Sequence, residues 1–124
     1  MIVLDANYLI GAPKPGSTEL SDIARWHQAG ETLSTTAIAW TEFLSGPVTA
    51  EDVADVRALL AGGVLDFDEA CAETAARLFN LTGRNRRLRV DGMIAAITMM
   101  NHGRLATRNL HDFQLFVPQG LKLA

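Results

Sequence analysis

The stretch Ile2–Asn7 reads IVLDAN and decides the fold of this chain. It joins three consecutive apolar residues to Asp5, and such a short continuous run is typical of a strand buried on both faces of a parallel sheet. Similar short runs recur along the sequence, at Leu33–Thr35, Val64–Phe67 and Leu105–Thr107, with Leu115–Val117 as a candidate fifth strand. We therefore expect a short sheet of four or five strands.

Helices are predicted between these strands by capping residues and by glycine or proline stops. The predicted helices cover residues 19–29 after Ser17, residues from about 37 to Gly46, and segments that begin at Thr49, after Asp68 and at about Asp91. Strands separated by helices are joined by right-handed crossovers, so the sheet is parallel and both of its faces are covered. The sequence thus predicts an α/β fold with three layers, α/β/α, in a single domain over residues 1–124.

Composition is that of one globular domain. The chain has 124 residues, of which 48% are hydrophobic, and its net charge is −3. So mild a charge excludes a polycation that coats nucleic acid. Cys71 is the single cysteine and is expected to be a small buried side chain. The N-terminal residues lack a signal-peptide pattern, and no apolar run is long enough to span a bilayer, so we expect a cytoplasmic protein without membrane contact.

Four acidic residues border the predicted elements: Asp5, Glu42, Asp91 and Asp112. Asp5 ends the first strand, and Asp112 follows the fourth. Asp91 begins a helix that leads into a parallel strand, so the start of that helix lies at the carboxyl ends of the strands. Glu42 comes early in the crossover after the second strand, and its apolar neighbours predict a buried setting. Ligands of parallel α/β sheets bind at this edge, where we expect the four carboxylates to meet.

Clustered carboxylates repel one another, and a bound divalent cation is the commonest way to offset that repulsion. Oxygen ligands favour Mg²⁺ or Mn²⁺, which activates water and neutralises charge on phosphate. The pattern therefore predicts metal-assisted hydrolysis of a phosphodiester. No Ser-His-Asp or Cys-His arrangement competes with it, because the three histidines are scattered and Ser45 has no neighbouring base. A glycine-rich phosphate loop is also missing.

Four motifs resemble those of PIN-domain ribonucleases, in particular the VapC-type toxins of type II toxin–antitoxin modules. They are D-x-N at Asp5 and Asn7, a lone Glu42 in a short helix before Gly46, D-x-x-I-A-A from Asp91, and T-R-N-x-x-D-F from Thr107 to Phe113. Each motif alone is weak. Their common order and spacing, over essentially the whole chain, carry the resemblance.

The resemblance implies a PIN fold with strand order 3-2-1-4-5 and an Mg²⁺-dependent endoribonuclease that cuts RNA. It also implies a homodimer and a cognate VapB-type antitoxin, which in this family often inserts an arginine into the acidic pocket. The three invariant acids of the family correspond here to Asp5, Glu42 and Asp91, which would be both metal ligands and catalytic residues.

The fourth acidic position varies in this family. Asn109 stands where many members have an acid, and Asp112 follows three residues later. We favour Asp112 as the fourth catalytic residue and metal ligand. Polar support is expected from Asn7, Thr107 and Asn109.

Each acid also has a purely structural interpretation. Asp5 would cap the turn that follows it, and Asp91 would cap its helix. Glu42 would be an ordinary exposed helix residue. Asn7 is expected to brace the turn after the first strand rather than to bind a metal.

Arginine accounts for nine of the eleven basic residues, a bias that suits phosphate or carboxylate partners. Arg108 lies beside Asn109 and is our candidate for a substrate contact. The run of Arg84, Arg86, Arg87 and Arg89 is either a phosphate-steering patch or a solvated face at a helix end.

The pattern favours an Mg²⁺-dependent endoribonuclease toxin over two alternatives. One is a catalytically silent module that binds RNA or a protein partner. The other is a phosphatase with Asp5 as its nucleophile, which is disfavoured because Asn7 replaces the second aspartate that such an enzyme would use as general acid.

Overall fold

The computed structural model describes all residues 1–124 and contains one parallel sheet of four strands. The strands are β1 (Ile2–Leu4), β2 (Leu33–Thr36), β3 (Val64–Leu65) and β4 (Arg104–Ala106), in the order β3-β2-β1-β4. In the central strand, Ile2 lies opposite Leu33 on one side and Arg104 on the other. The predicted parallel sheet and the order of its first four strands are confirmed.

Seven helices flank the sheet, and two 3-10 turns complete the chain. The helices are α1 (Ala6–Gly11), α2 (Thr18–Gln28), α3 (Ala37–Leu44), α4 (Ala50–Leu59), α5 (Glu69–Leu81), α6 (Arg89–Met100) and α7 (Leu110–Phe113), and the 3-10 turns are Arg86–Leu88 and Gln114–Gln119. Ser17 and Asp68 cap α2 and α5 through their side-chain oxygens, as the sequence predicts, and Thr49, which was expected to begin a helix, caps α4 in the same way. These local capping residues therefore determine where α2, α4 and α5 begin.

The prediction of a fifth strand at Leu115–Val117 was wrong, because these residues lie in the 3-10 turn Gln114–Gln119. Phe113 and Phe116 are both buried, and this spacing of three is helical, whereas a strand would bury alternate residues. The fifth position of the sheet is reduced to one parallel bridge between Leu105 and Leu123. There the Leu105 N–H donates to the carbonyl of Lys122 at 2.8 Å.

Two further boundaries differ from prediction. The strand β3 stops at Leu65, short of Phe67, and both of its residues are only half-buried at the edge of the sheet. The helix α6 begins at Arg89, so Asp91 lies inside its first turn. The residue at the cap position is Leu88, which makes no side-chain capping bond, and the interpretation of Asp91 as a helix cap was therefore wrong.

The core lies where β1 meets the helices. All three residues of β1 are fully buried, together with Phe43 of α3 and Ile94 of α6. Cys71 is buried, as predicted. None of the helices combines the length and the apolar content that a membrane span requires.

Candidate acidic active site

Asp5 lies at the carboxyl end of β1 and is only 6% exposed. Its Oδ1 accepts a hydrogen bond from the N–H of Ala6 at 2.8 Å, so it caps α1 as the structural interpretation expected. Its Oδ2 accepts a second bond from the Thr107 hydroxyl at 2.6 Å. Burial raises the pKa of Asp5, and these two hydrogen bonds partly offset that rise. The Asp5 carboxylate therefore caps α1 and is also part of the candidate site.

Asp91 lies half-buried in the first turn of α6 and is the most perturbed acid of the site. Burial raises its pKa from 3.8 to about 6, with further upward contributions from the negative charges of Asp5 and Asp112 and a smaller downward one from Arg87. The Nδ2 of Asn109 lies 3.3 Å from Asp91 Oδ2 and donates to it. Asp91 and Asp5 are therefore close enough to repel each other, as the topology predicted.

Glu42 lies on α3 and is exposed, so the predicted buried setting was wrong. The helix turns Trp40 and Phe43 toward the core, and this leaves Glu42 and Leu44 on its outer side. The pKa of Glu42 is nevertheless raised, first by partial loss of solvent around the carboxyl group and then by the charges of Asp5 and Asp91. The three acids therefore share one electrostatic environment, and we call Asp5, Glu42 and Asp91 the acidic rim.

Asp112 differs from the acidic rim because it has a cation of its own. Its Oδ2 accepts a hydrogen bond from Arg87 Nη1 at 2.8 Å. This ion pair is the main reason that the pKa of Asp112 lies below its usual value. The polar support expected from Asn109 reaches Asp91, while Asp112 is neutralised at the periphery. A metal-binding role for Asp112 stays a prediction.

Asn7 and Thr107 both act as polar supports in the hydrogen-bond network. The Oδ1 of Asn7 accepts a bond from the backbone N–H of Arg108 at 3.2 Å, so Asn7 braces the loop after β4 and not, as predicted, the turn after β1. Thr107 is buried, and its hydroxyl, which donates to Asp5, also accepts a bond from the Asn109 N–H at 3.0 Å. These contacts fix residues 107–109 against the acidic rim.

The predicted substrate-binding arginines have different surroundings. The Arg108 side chain turns away from the acids toward α2, where it pairs with Glu19 at 3.2 Å and with Asp22 at 3.3 Å. Arg87 holds Asp112. Of the others, Arg84 and Arg89 lie over the Phe79 ring and Arg86 is exposed in the turn Arg86–Leu88. Of these arginines, therefore, only Arg87 pairs with one of the four acids that the sequence predicted for the site.

Sequence reasoning missed Glu19, Asp22 and Tyr8 as neighbours of the site. Glu19 lies in the first turn of α2, where the helix dipole explains it sufficiently, and Asp22 follows three residues later as an ordinary polar helix residue. Nothing in their spacing relates them to Arg108, which is 89 residues from Glu19 along the chain. Only the three-dimensional structure brings them together.

The donor set fits a hard divalent cation that keeps part of its water shell. All the acids of the rim offer oxygen, which Mg²⁺ and Mn²⁺ prefer. No three His, Cys, Asp or Glu side chains are arranged to hold a metal ion by themselves. Mg²⁺ does not require such a cage, because it usually binds one or two carboxylates together with waters and substrate phosphates. Asp5 and Asp91 would be those carboxylates, with Glu42 at the open side.

Several solved structures share this fold. The chain is similar to DNA-bound VapBC from Salmonella typhimurium, with 21% identity and a TM-score of 0.74, over 99% of this chain and 96% of that one. It is also similar to FitAcB from Neisseria gonorrhoeae, with 22% identity and a TM-score of 0.73, again over 99% and 96% of the two chains. A toxin–antitoxin complex from Klebsiella pneumoniae gives 21% identity and a TM-score of 0.65 over 91% and 90%.

These identities support a common fold and no more. A comparison with curated protein sequences found no match. The family assignment depends instead on the sequence profile of the PIN domain, which matches residues 2–114. That range includes the sheet, all seven helices and all four predicted acids of the site, from Asp5 to Asp112. The chain therefore belongs to the PIN domain family.

Proposed function

We propose that this protein is a metal-dependent nuclease and, more specifically, an Mg²⁺- or Mn²⁺-dependent endoribonuclease toxin. The observation that carries the proposal is the convergence of Asp5, Glu42 and Asp91, where partial loss of solvent first, and then the charges of Asp5 and Asp91, raise the pKa of Glu42. Three distant segments converge here although their repulsion disfavours the folded state. Strongly perturbed carboxyl groups at a sheet edge are typical of functional sites.

In this proposal, different residues of the site have different roles. Asp5 and Asp91 would hold the cation, with their oxygens oriented by Thr107 and Asn109. Glu42 lies at the exposed side, where a substrate phosphate would approach. A bound Mg²⁺ supplies activation of water and neutralisation of charge on the phosphate. Arg87, whose charge lowers the pKa of Asp91, would orient the RNA backbone once it parts from Asp112.

We further propose a protein antitoxin as the partner of this chain, which would itself form a homodimer. The support is that the similar structures include a toxin–antitoxin complex and DNA-bound VapBC, and that the likeness extends over nearly the whole of each chain. An antitoxin would neutralise the negative acidic rim most directly with a basic side chain. Co-expression with the protein encoded next to this chain, followed by size-exclusion chromatography, tests both the partner and the number of subunits.

A catalytically silent module that binds RNA or a partner is the second candidate. The observation that favours it is that no three potential ligands form a complete metal-binding group. The phosphatase is not supported as a third candidate. Asp5 is buried with both oxygens hydrogen-bonded, which leaves it a poor nucleophile, and the Asn7 side chain is engaged by the Arg108 N–H.

A cleavage assay separates these functions. The wild-type protein should cleave structured RNA with Mg²⁺ or Mn²⁺ and lose this activity in excess EDTA, while a DNA strand of the same sequence tests the preference for RNA. Asp91→Asn should abolish cleavage and keep the native circular dichroism spectrum. Asp55→Asn, at an exposed position of α4, is the matched control and should cleave like the wild type. RNA binding without cleavage would favour the silent module, and cleavage in EDTA would overturn the metal mechanism.

A further inference from the structure

Residues 107–109 cross the acidic rim and contact it from two sides. The Thr107 hydroxyl donates to Asp5 at 2.6 Å, and the Asn109 amide donates to Asp91 at 3.3 Å. The positions of both donors depend on where this short segment lies. Because this segment lies beyond the end of β4, strand pairing does not hold it, and its position depends on contacts with neighbouring segments.

The side chain between these two donors, that of Arg108, points the other way and has three polar partners on α2. The Nη2 of Arg108 donates to the Thr18 hydroxyl at 2.7 Å and lies 3.3 Å from Asp22 Oδ2. Its Nε lies 3.2 Å from Glu19 Oε1. We call Arg108 together with Thr18, Glu19 and Asp22 the arginine clamp.

The arginine clamp is part of the packing of α1 against α2. The Tyr8 hydroxyl donates to Asp22 at 2.7 Å, and the Tyr8 ring centroid lies 4.9 Å from the guanidinium carbon of Arg108. Gly11 faces Glu19 so closely that a Cβ at this position would lie 2.7 Å from Glu19 Cγ. Since Asp5 caps α1, the clamp ties residues 107–109 to the helix that begins at the acidic rim.

We propose that Glu19 and Asp22 are positioning residues for the acidic rim, because they fix residues 107–109 against it through the arginine clamp. This inference rests on the proposed function. It gives Arg108 a structural role in place of the RNA contact that the sequence suggested. Groups that orient metal ligands from a second layer commonly alter metal affinity or activity when they are changed, and small misplacements of reacting groups are costly.

The test compares Glu19→Gln/Asp22→Asn with Glu31→Gln. The double variant keeps the shape of both side chains and removes their charges. Glu31 pairs with Arg104 and the N-terminus at the opposite, amino end of the strands, so its variant controls for the loss of an ion pair elsewhere. The first readout is the affinity for Mn²⁺ alone, measured by electron paramagnetic resonance without RNA. We expect the double variant to bind Mn²⁺ about tenfold more weakly than the wild type, as outer-shell changes do, and Glu31→Gln to bind it normally.

Two further readouts separate positioning from substrate contact. Cleavage by the double variant should show a lower kcat with an unchanged KM for RNA, and hydrogen exchange at the Arg108 and Asn109 amides should accelerate. A lower KM together with a wild-type kcat and wild-type Mn²⁺ affinity would mean that the freed Arg108 binds RNA and has no positioning role. If the double variant does not fold, Gly11→Ala replaces it in the test. This variant keeps every charge but displaces Glu19, and it should also bind Mn²⁺ more weakly than the wild type.

The result that would overturn the inference is wild-type Mn²⁺ affinity and wild-type amide exchange in both the double variant and Gly11→Ala. Failure of the proposed function looks different. In that case the wild-type protein itself would bind no Mn²⁺ and cleave no RNA, and the positioning role would fall with it.

Discussion

The acidic rim and the arginine clamp lie side by side and obey opposite electrostatic rules. In the rim, loss of solvent first, and then the like charges of neighbouring segments, raise the pKa values of Glu42 and Asp91. In the clamp, a hydrogen bond from the backbone of Glu19 and then the one from Arg108 lower the pKa of Glu19, and Glu19 in turn raises that of Arg108. The rim therefore disfavours folding at neutral pH, whereas the clamp is compatible with it. An arrangement that opposes stability is the one that calls for a functional explanation.

The largest expected effect is on activity, at the exposed member of the rim. Glu42→Gln should lower kcat by about two orders of magnitude, the cost of losing a group that helps to hold the reacting groups in position. Its stability should not fall, because Glu42 is exposed, its side chain makes no hydrogen bond, and the loss of its charge relieves repulsion within the acidic rim. Single-turnover cleavage and thermal melting measure the two quantities.

Glu51→Gln is the matched control, an exposed glutamate in the first turn of α4. It should match the wild type in both measurements. Full activity in Glu42→Gln would mean that Glu42 is an ordinary surface residue. Only Asp5 and Asp91 would then remain as functional members of the acidic rim.

The next effect is on stability, at the contact between the rim and residues 107–109. Thr107→Val should lower the free energy of unfolding by about 1–3 kcal/mol, because it leaves the buried Asp5 Oδ2 without its donor. Thr107→Ser keeps the hydroxyl and should retain most of the stability. Urea denaturation measures both. Equal stability of Thr107→Val and the wild type would show that this bond is not needed to hold Asp5.

A smaller effect concerns the dependence of stability on pH. The pKa of Asp91 is about 6 in the folded protein and 3.8 ordinarily, so the folded state binds the proton more tightly than the unfolded chain does. Stability should therefore fall as the pH rises from about 4 to 6 and stay lower above that window. Asp91→Asn removes this contribution and should be more stable than the wild type at pH 7 in EDTA, by about 1 kcal/mol after allowance for solvent screening.

Denaturation at several pH values in EDTA checks this expectation. Asp5, whose pKa is also raised, adds to the fall in the wild type, whereas Asp112 has a lowered pKa and contributes in the opposite sense. An unchanged pH profile in Asp91→Asn would show that Asp91 does not carry the repulsion assigned to it.

The smallest effect is on the stability of the arginine clamp itself. Exposed ion pairs contribute less than about 1 kcal/mol and are screened by salt. Glu19→Gln/Asp22→Asn should therefore melt only slightly below the wild type in dilute buffer, and the difference should shrink in 1 M NaCl. A large loss of stability that persists in high salt would mean that the clamp supports the fold as a whole rather than the rim.

The sequence predicted those features that depend on local signals. Asp5 ends a buried apolar run, and Ser17 and Asp68 are recognisable helix caps, so the elements follow from them, whereas the order of the first four strands came from the resemblance to PIN-domain ribonucleases. The convergence of Asp5 and Asp91 follows from that topology alone, because parallel strands share one carboxyl edge.

The features that failed depend on which way a side chain faces or on contacts between distant segments. Glu42 has apolar neighbours, yet α3 presents it to solvent. Leu115–Val117 has strand composition, yet Phe113 and Phe116 are buried with helical spacing. The partners of Arg108 lie on α2, and no spacing rule connects them.

The most direct test of the central claim is the shift in melting temperature that Mg²⁺ causes in the absence of RNA. A ligand that binds the folded state stabilises it according to its affinity. We expect Mg²⁺ to raise the melting temperature of the wild type and of Asp55→Asn equally, and that of Asp91→Asn much less. Equal shifts in all three proteins would contradict the claim that the acids of the rim act together to hold a cation.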